Sequence, residues 1–404
     1  MNKLELLIQQ LCPDGVEYKK LEDVALYRRG SFPQPYGESQ WYGGEDAMPF
    51  VQVADVNENF SLVNDTKQKI SKLAQEKSVF VPKGTVIVTL QGTIGRVAIT
   101  QYDSFIDRTL AIFENYKIDI NKKFFAYILK QKFDVEKQYA RGSTLKTITK
   151  EEFSKFTIPI PPMPVQEEIV RILDNFTELT AELTAELTAR KKQYEYYRDE
   201  LLTFGNDVEW KTLGDCTQKI LNIKWNNTEA NYKYIDLSSV SRDNNKIEVT
   251  TTINKDTAPS RAQQIVARGD VLLGTTRPLL KRYCIIDESY DCQICSTGFC
   301  VLRANQKIVL PAWIYYQISS SKFFNYAEKY QQGASYPSIT DFNVKSYKIP
   351  VPPLEEQQHI VDILDRFDKL CNDISEGLPA EIEARKKQYE YYRDKLLTFK
   401  EKKN

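Results

Sequence analysis

Histidine is almost missing from this chain: His359 is the only one in 404 residues. That leaves little room for histidine-based acid–base chemistry or for zinc cages built on imidazole. Long apolar runs are missing as well. The N-terminal stretch Leu4 to Leu11 is broken by Glu5, so neither a signal peptide nor a membrane span is expected, and a cytoplasmic location is. Net charge is absent: 55 Lys and Arg face 55 Asp and Glu, which excludes a uniformly basic DNA coat and a wholly acidic mimic. Neither G-x-x-x-x-G-K-[ST] nor a G-x-G-x-x-G after a strand occurs, so an ATP-driven motor within the chain is excluded. Seven cysteines without a secretory context read as reduced thiols. The expectation is a chain with no cofactor, no resident metal and no catalytic residue.

What the chain has is repetition. Ala189 to Phe204 (ARKKQYEYYRDELLTF) and Ala384 to Phe399 (ARKKQYEYYRDKLLTF) agree at fifteen of sixteen positions. Upstream, Ile158 to Phe176 (IPIPPMPVQEEIVRILDNF) answers Ile349 to Phe367 (IPVPPLEEQQHIVDILDRF) at an offset of 191. Val16-Glu17-Tyr18-Lys19 answers Val208-Glu209-Trp210-Lys211, Lys83-Gly84 answers Arg268-Gly269, and Gly142 answers Gly333. A period of about 190 residues is far longer than solenoid repeats and reads as duplicated domains.

The proline clusters at 159–162 and 350–353 cannot continue a helix and mark boundaries. Beyond them, Ile169, Leu173, Phe176, Leu183, Leu187, Tyr194, Tyr197 and Leu201 fall at spacings of three and four, and Ile360, Leu364, Phe367, Ile374, Ile382, Tyr389, Tyr392 and Leu396 repeat the pattern. These stripes predict two long helices that pair as a coiled coil, the alternative being surface helices packed on their own domains. Gly377-Leu378-Pro379 should interrupt the second. Before each helix, Val81 to Thr89 and Ile265 to Thr276 read as strands, and Lys122 to Phe133 and Trp313 to Tyr326 as helices with aromatic faces. The expected fold is α+β: two pseudo-symmetric α/β domains, 1–157 and 205–348, separated by an antiparallel pair of long coiled-coil helices, 158–204 and 349–404. The two domains carry net charges of +2 and +4 and the two helical segments −4 and −2. That sign pattern fits domains that meet phosphate and helices that meet protein.

This order of segments, with I-P-x-P-P and R-K-K-Q-Y-x-Y-Y-R-D closing each half, resembles the specificity subunits of type I restriction-modification systems. Thr275-Thr276-Arg277-Pro278 with Cys295-Ser296-Thr297-Gly298-Phe299-Cys300-Val301-Leu302-Arg303 is similar to that family's second-domain pattern. Gln91-Gly92-Thr93-Ile94-Gly95 and Arg141-Gly142-Ser143-Thr144 are similar to loops of the first. The resemblance implies a non-catalytic protein with two target-recognition domains, reading a bipartite asymmetric duplex DNA site with one domain per half-site. It further implies two modification (methyltransferase) subunits as partners, to which restriction (motor and nuclease) subunits can be added. The assembled complex would be a DNA adenine methyltransferase and an ATP-dependent endonuclease. His359 departs from the arginine often found there. The tandem Thr180-Ala181-Glu182-Leu183 and Thr184-Ala185-Glu186-Leu187 corresponds to units that, in this family, tune the gap between half-sites.

Two motifs compete with this reading. Asp14 and Glu17 with Lys19 carry the letters of a metal-dependent nuclease, but two intervening residues cannot fold back to bring the carboxylates together around a hard cation. Cys284, Cys292, Cys295 and Cys300 include one CxxC where zinc ribbons pair two, so core-strand cysteines are expected instead. For DNA reading, the useful residues are forked or small polar donors in loops beside glycine. The candidates in the first domain are Arg28, Arg29, Ser31, Gln34, Gln91, Thr93, Arg96, Arg141, Ser143, Thr144 and Lys146. In the second they are Lys224, Asn226, Asn227, Arg242, Thr276, Arg277, Lys281, Arg282, Ser335 and Tyr336. Competing functions are an RNA-binding or general nucleic-acid scaffold, since Tyr and Trp interleaved with Lys suit stacking on unpaired bases, and a stand-alone endonuclease.

Overall fold

Val86–Thr89 and Val271–Gly274 are buried at every residue, so each must be covered on both faces. A glycine with positive φ, Gly84 at 84° and Gly269 at 85°, turns the chain into each of them, a conformation that costs glycine nothing. The computed structural model describes residues 3–139, 153–373 and 377–402. It divides into two units, Met1–Ala181 with Ala384–Asn404, and Glu182–Glu383.

In the first unit, Val86 and Val88 face a core shared with Phe124, Phe125, Leu129 and Phe133 of the helix Lys122–Tyr139. Ile87, pointing the other way, meets Val51, Val81 and Ile106. Three layers result: helix, sheet, sheet. One sheet has the order Ala25–Arg29, Leu110–Tyr116, Val86–Thr89, Val97–Ile99. The other runs Gln68–Ile70, Met48–Val51, Ser104–Ile106, Val79–Val81, with Met48–Val51 and Ser104–Ile106 parallel.

The second unit repeats both sheets strand for strand. Thr217–Gln218, Phe299–Ala304, Val271–Gly274 and Tyr283–Ile285 form one; Thr251–Ile253, Tyr232–Ile235, Ile294–Ser296 and Ala262–Ile265 form the other. The register is also shared: Val86 to Thr89 pair with Phe113 back to Leu110, as Val271 to Gly274 pair with Leu302 back to Phe299. Entry and exit of each domain are tied by a short antiparallel pair, Glu17–Lys20 with Thr157–Ile160, and Trp210–Thr212 with Lys348–Pro350.

The long helices start where the prolines end. Gln166 lies in the core, donating to Pro161 O (2.8 Å) and accepting from Asn121 N (2.9 Å). Gln357 does the same with Pro352 O (2.8 Å) and Leu310 N (3.0 Å), and also donates to Ile308 O. Tyr127 donates to Asp174 (2.7 Å) and Tyr316 to Asp365, fixing the next turns. Met163–Leu201 is unbroken over 39 residues. Its counterpart is two helices, Leu354–Asn372 and Leu378–Leu396, so the Gly377 interruption expected from the sequence is present.

The packing of the helical stripes differs from a simple helix pair. Ile169 and Leu173 belong to the core of the first domain, and Ile360 and Leu364 to that of the second, because the first turns of each helix dock on the domain preceding them. The repeated C-terminal ends do the reverse. Tyr389, Leu396, Leu397 and Phe399 join the first unit's core, where Tyr392 stacks on Phe176 at 5.4 Å. Tyr194, Leu201, Leu202 and Phe204 join the second unit's core, where Tyr197 stacks on Phe367 at 6.1 Å. In that unit the two segments run antiparallel, Tyr194 lying by Asp368 and Cys371 and Tyr197 by Phe367. Leu183 and Leu187 are half-buried, Ile382 is buried, and Ile374 lies outside the described residues. In the first unit the C-terminal tail also closes on the N-terminus. Val16 N donates to Lys400 O (2.9 Å), Lys402 N to Val16 O (2.9 Å), and a Cβ at Gly15 would sit 2.4 Å from Lys400 O.

Glu168, buried at the start of the first long helix, receives Arg171 at 2.6 Å and Lys3 at 2.8 Å. The Arg171 guanidinium first, then the Lys3 ammonium, holds its carboxyl down to about 2 from 4.5. A folded pKa below the unfolded one gives stability that is complete above pH 4.5 and lost as pH falls towards 2. Glu168→Gln should therefore lower the melting temperature near neutral pH and make little difference near pH 2. An equal offset at both values would show that the ionised form contributes nothing.

Candidate nucleic-acid interface

Where Val271–Gly274 ends, the chain must turn back to Tyr283–Ile285, and the connecting loop is held by two others. Thr275 donates through both N and Oγ1 to Gly298 O, each at 2.8 Å. Arg277 N donates to Pro337 O at 2.6 Å, Ile339 N to Thr275 O at 3.0 Å, and Thr276 is bridged to Ser338. These bonds hold Arg277 and Lys281 in left-handed conformations, φ 50° and 52°, on either side of the turn Pro278–Leu280. A non-glycine residue pays strain there, which persists only when its surroundings over-determine it. The effect is to gather Thr276, Arg277, Lys281, Ser335 and Tyr336 at one set of loops. The Arg277 guanidinium lies 4.2 Å from the centre of the Tyr336 ring, and Tyr336 is 70% exposed. Lys281 Nζ lies 5.2 Å from the Phe324 ring centre.

The equivalent loop of the first domain is tighter. Thr89 Oγ1 donates to Thr93 O at 2.5 Å, and Gly95, at φ 79°, packs where a Cβ would meet Phe133 at 2.6 Å. Gln91 is half-buried and Thr93 exposed. Leu90 N donates to Thr109 O as Thr275 N does to Gly298 O. Arg141, Ser143, Thr144 and Lys146 lie outside the described residues.

The remaining candidates are dispersed. Arg28 forks onto Glu114, both bonds 2.8 Å, across adjacent strands. Arg29 and Gln34 are exposed, and Ser31 Oγ donates to Lys77 O. Lys224, Asn226 and Asn227 are exposed around the turn Trp225–Asn227, beside the strand Ala262–Ile265, where Trp225 Nε1 donates to Ala262 O. Arg242 is exposed in the loop after Val240.

Two candidates make bonds inside the fold. Arg96 and Arg282 occupy the same position, each immediately before the strand that returns from the loop. Arg96 Nη1 donates to Val56 O at 3.2 Å. Arg282 Nη1 donates to Leu237 O at 2.6 Å and to Val240 O. Val56 and Val240 follow matching short turns, Val53–Asp55 and Leu237–Ser239. Both guanidiniums point into the fold, satisfying carbonyls that the turns leave without partners. Arg108 is a residue that the sequence reading passed over. It is exposed, and its guanidinium lies 5.3 Å from the centre of the Tyr36 ring. Setting Asp107-Arg108-Thr109-Leu110 against Ser296-Thr297-Gly298-Phe299 would have found it, because each precedes the same strand.

The competing motifs resolve into ordinary structure. Cys284, Cys295 and Cys300 are buried strand residues, and burial pushes the Cys284 thiol up to about 12. Cys292 is exposed, at φ 57°. Glu17 sits in the entry strand, ion-paired with Lys19, and Asp14 is exposed. Among the described residues, no group of three His, Cys, Asp or Glu could hold a metal, and no helix is long and apolar enough to cross a membrane.

Residues 13–190 and 206–384 each match the family model described as the type I restriction modification DNA specificity domain. The Escherichia coli type I restriction enzyme EcoR124I/EcoR124II specificity subunit is 37% identical over 70% of this chain and 72% of its own length. The HsdS subunit structure from Thermoanaerobacter tengcongensis is 31% identical, over 48% of this chain and only 47% of that one, with a TM-score of 0.40. The type I restriction-modification S subunit of M. genitalium is 14% identical and shares the fold over 95% of this chain and 96% of its own, with a TM-score of 0.50.

Because Arg282 closes two carbonyls, Arg282→Met should destabilise the chain by about 1 to 3 kcal/mol, the cost of leaving them unpaired. The bases selected from a random duplex library should not change. A shifted base preference with an unchanged melting temperature would place Arg282 on the DNA side instead.

Proposed function

The chain belongs to the family of type I restriction-modification DNA specificity proteins, and from that membership we propose that it is the non-catalytic subunit that reads an asymmetric, two-part duplex DNA site. The observation that carries this is the duplication itself. Two domains share strand order and register, yet present Gln91-Gly92-Thr93-Ile94-Gly95 in one and Thr276-Arg277-Pro278-Leu279-Leu280-Lys281 in the other. One scaffold with two unlike loops reads two unlike half-sites. Segments 1–157 and 205–348 act as the target-recognition domains, and 158–204 and 349–404 as the spacer segments.

ATP-driven cleavage comes from partner subunits, since the chain has no phosphate-cradling loop of its own, and methyl transfer comes from the modification subunits that membership of this family implies. Two modification subunits dock, one per half, and restriction subunits join them in the cytoplasm. The repeated helix ends support a partner bound twice: Tyr196 and Tyr391 are 62% and 63% exposed, yet their surroundings are the same in both copies. Packing accounts for identity at Tyr194, which is buried, and at Tyr389, which is partly buried against the first unit's core. At exposed positions, a common docking partner accounts for it.

The tandem Thr-Ala-Glu-Leu unit lies wholly on the helix Met163–Leu201, in a stretch between Leu173 and Tyr194 where nothing is fully buried. A change of length there therefore cuts through no fully buried side chain. A third unit would add about 6 Å and turn the helix end by about 40° beyond a full turn. One base pair of B-DNA turns by about 34 to 36°. Loops must enter the groove in phase, so rotation governs, although the rise alone would permit nearly two base pairs. Inserting the unit after Leu187 should leave both half-site sequences as they are and lengthen the gap between them by one base pair. Methylation mapping that found an unchanged gap, or altered half-sites, would overturn this role for the repeat.

A further inference from the structure

Each domain carries one arginine laid over a tyrosine at the edge of its loops. In the second domain it is Arg277 on Tyr336, 4.2 Å from the ring centre, with Nη2 3.5 Å from Ser335 O. In the first it is Arg108 on Tyr36, at 5.3 Å. Tyr36 is itself anchored: its hydroxyl donates to the buried Asp107 at 2.6 Å, and its ring stacks on Phe32 at 4.9 Å. The two arginines come from neighbouring loops of the common scaffold, Arg108 beside Thr109 and Arg277 two residues after Thr275. Thr109 and Thr275 are the residues through which those loops are laced, Thr109 O accepting from Leu90 N and Thr275 N donating to Gly298 O.

What sets this pair apart is an aromatic ring beneath a guanidinium that has no counter-ion among the described residues. Arg28 is spent on Glu114, and Arg96 and Arg282 point into the fold. Among the described residues, neither Arg108 nor Arg277 forms an ion pair, and both are exposed. An aromatic ring beneath a guanidinium fixes its plane and leaves its edge donors directed outward. Guanine offers two coplanar acceptors, O6 and N7, in the major groove, and a planar fork meets both. A phosphate needs charge but no such plane, and a lysine would serve it equally well.

We propose that Arg108 and Arg277 are the specificity-determining residues of their domains, each forking onto a guanine, with Tyr36 and Tyr336 as platforms that hold the fork flat. This rests on the reading of the chain as a duplex-DNA specificity subunit. The test uses the complete complex with its modification subunits and maps methylated sites in a random duplex library. Arg108→Lys should lose discrimination at one G·C pair of one half-site by about 5- to 150-fold, and Arg277→Lys at one G·C pair of the other. Tyr336→Ala should produce a smaller loss at the same base pair as Arg277→Lys, and Tyr36→Ala a smaller loss at the same base pair as Arg108→Lys. In every variant the untouched half-site reports that the chain is folded. The proposal is overturned if the lysine variants discriminate as the parent does. It is also overturned if alanine variants weaken all sequences alike with a shallower salt dependence, the mark of a phosphate contact. A parent complex that selects no two-part site, or arginines that both act on one half-site, would sink the underlying reading instead.

Discussion

The amide of Gln166, sealed in the core between Pro161 and Asn121, and that of Gln357, between Pro352 and Leu310, aim the rest of the molecule. Each amide joins the strand that leaves a domain, the helix that begins after it and the helical layer behind the sheet. A buried amide that lost one partner would leave a polar group without water, so the joint has a single geometry. Once it is set, Tyr127 reaches Asp174 and Tyr316 reaches Asp365, and the first turns of each long helix have no freedom against their own domain.

Downstream of that joint the molecule separates what is held from what is displayed. Strand order, register, the glycine turns before the central strands and the inward arginines Arg96 and Arg282 are the same in both domains. The loops beyond Thr89 and Gly274 are not. A left-handed Arg277 pinned by Pro337 O in one domain and a glycine-tightened turn in the other are two outcomes from one scaffold. Variation therefore falls where it changes what is read and leaves the core alone.

Much of this was legible from the sequence, because a duplicated chain annotates itself. The offset of 191 pairs Gln166 with Gln357 and Asp174 with Asp365, and the break at Gly377 follows from residue chemistry. Two things were not legible. ARKKQYEYYRD is identical in both copies, so nothing in it says which domain it packs against; only the three-dimensional contacts of Tyr389 and Tyr194 do. Arg277 and Arg282 lie five residues apart in one loop and are alike in type. The carbonyls of Leu237 and Val240, distant in sequence, claim one of them and leave the other outside. Arg108 escaped notice for the converse reason: no glycine-rich loop announces it, only its register beside Thr109.

The closure of the first unit by its own C-terminal tail bears on how the protein is made. Synthesis delivers the N-terminal domain first, and domains generally fold as they emerge. Here the ribosome finishes the second unit, residues 182–383, before it supplies the last piece of the first, Ala384–Asn404. Until then the apolar seat for Tyr389, Leu396 and Leu397 stands open, and Val16 has no Lys400 to pair with. A nascent chain stalled before Ala384 is thus one complete domain and one with a sticky groove. The domain made first is the one finished last.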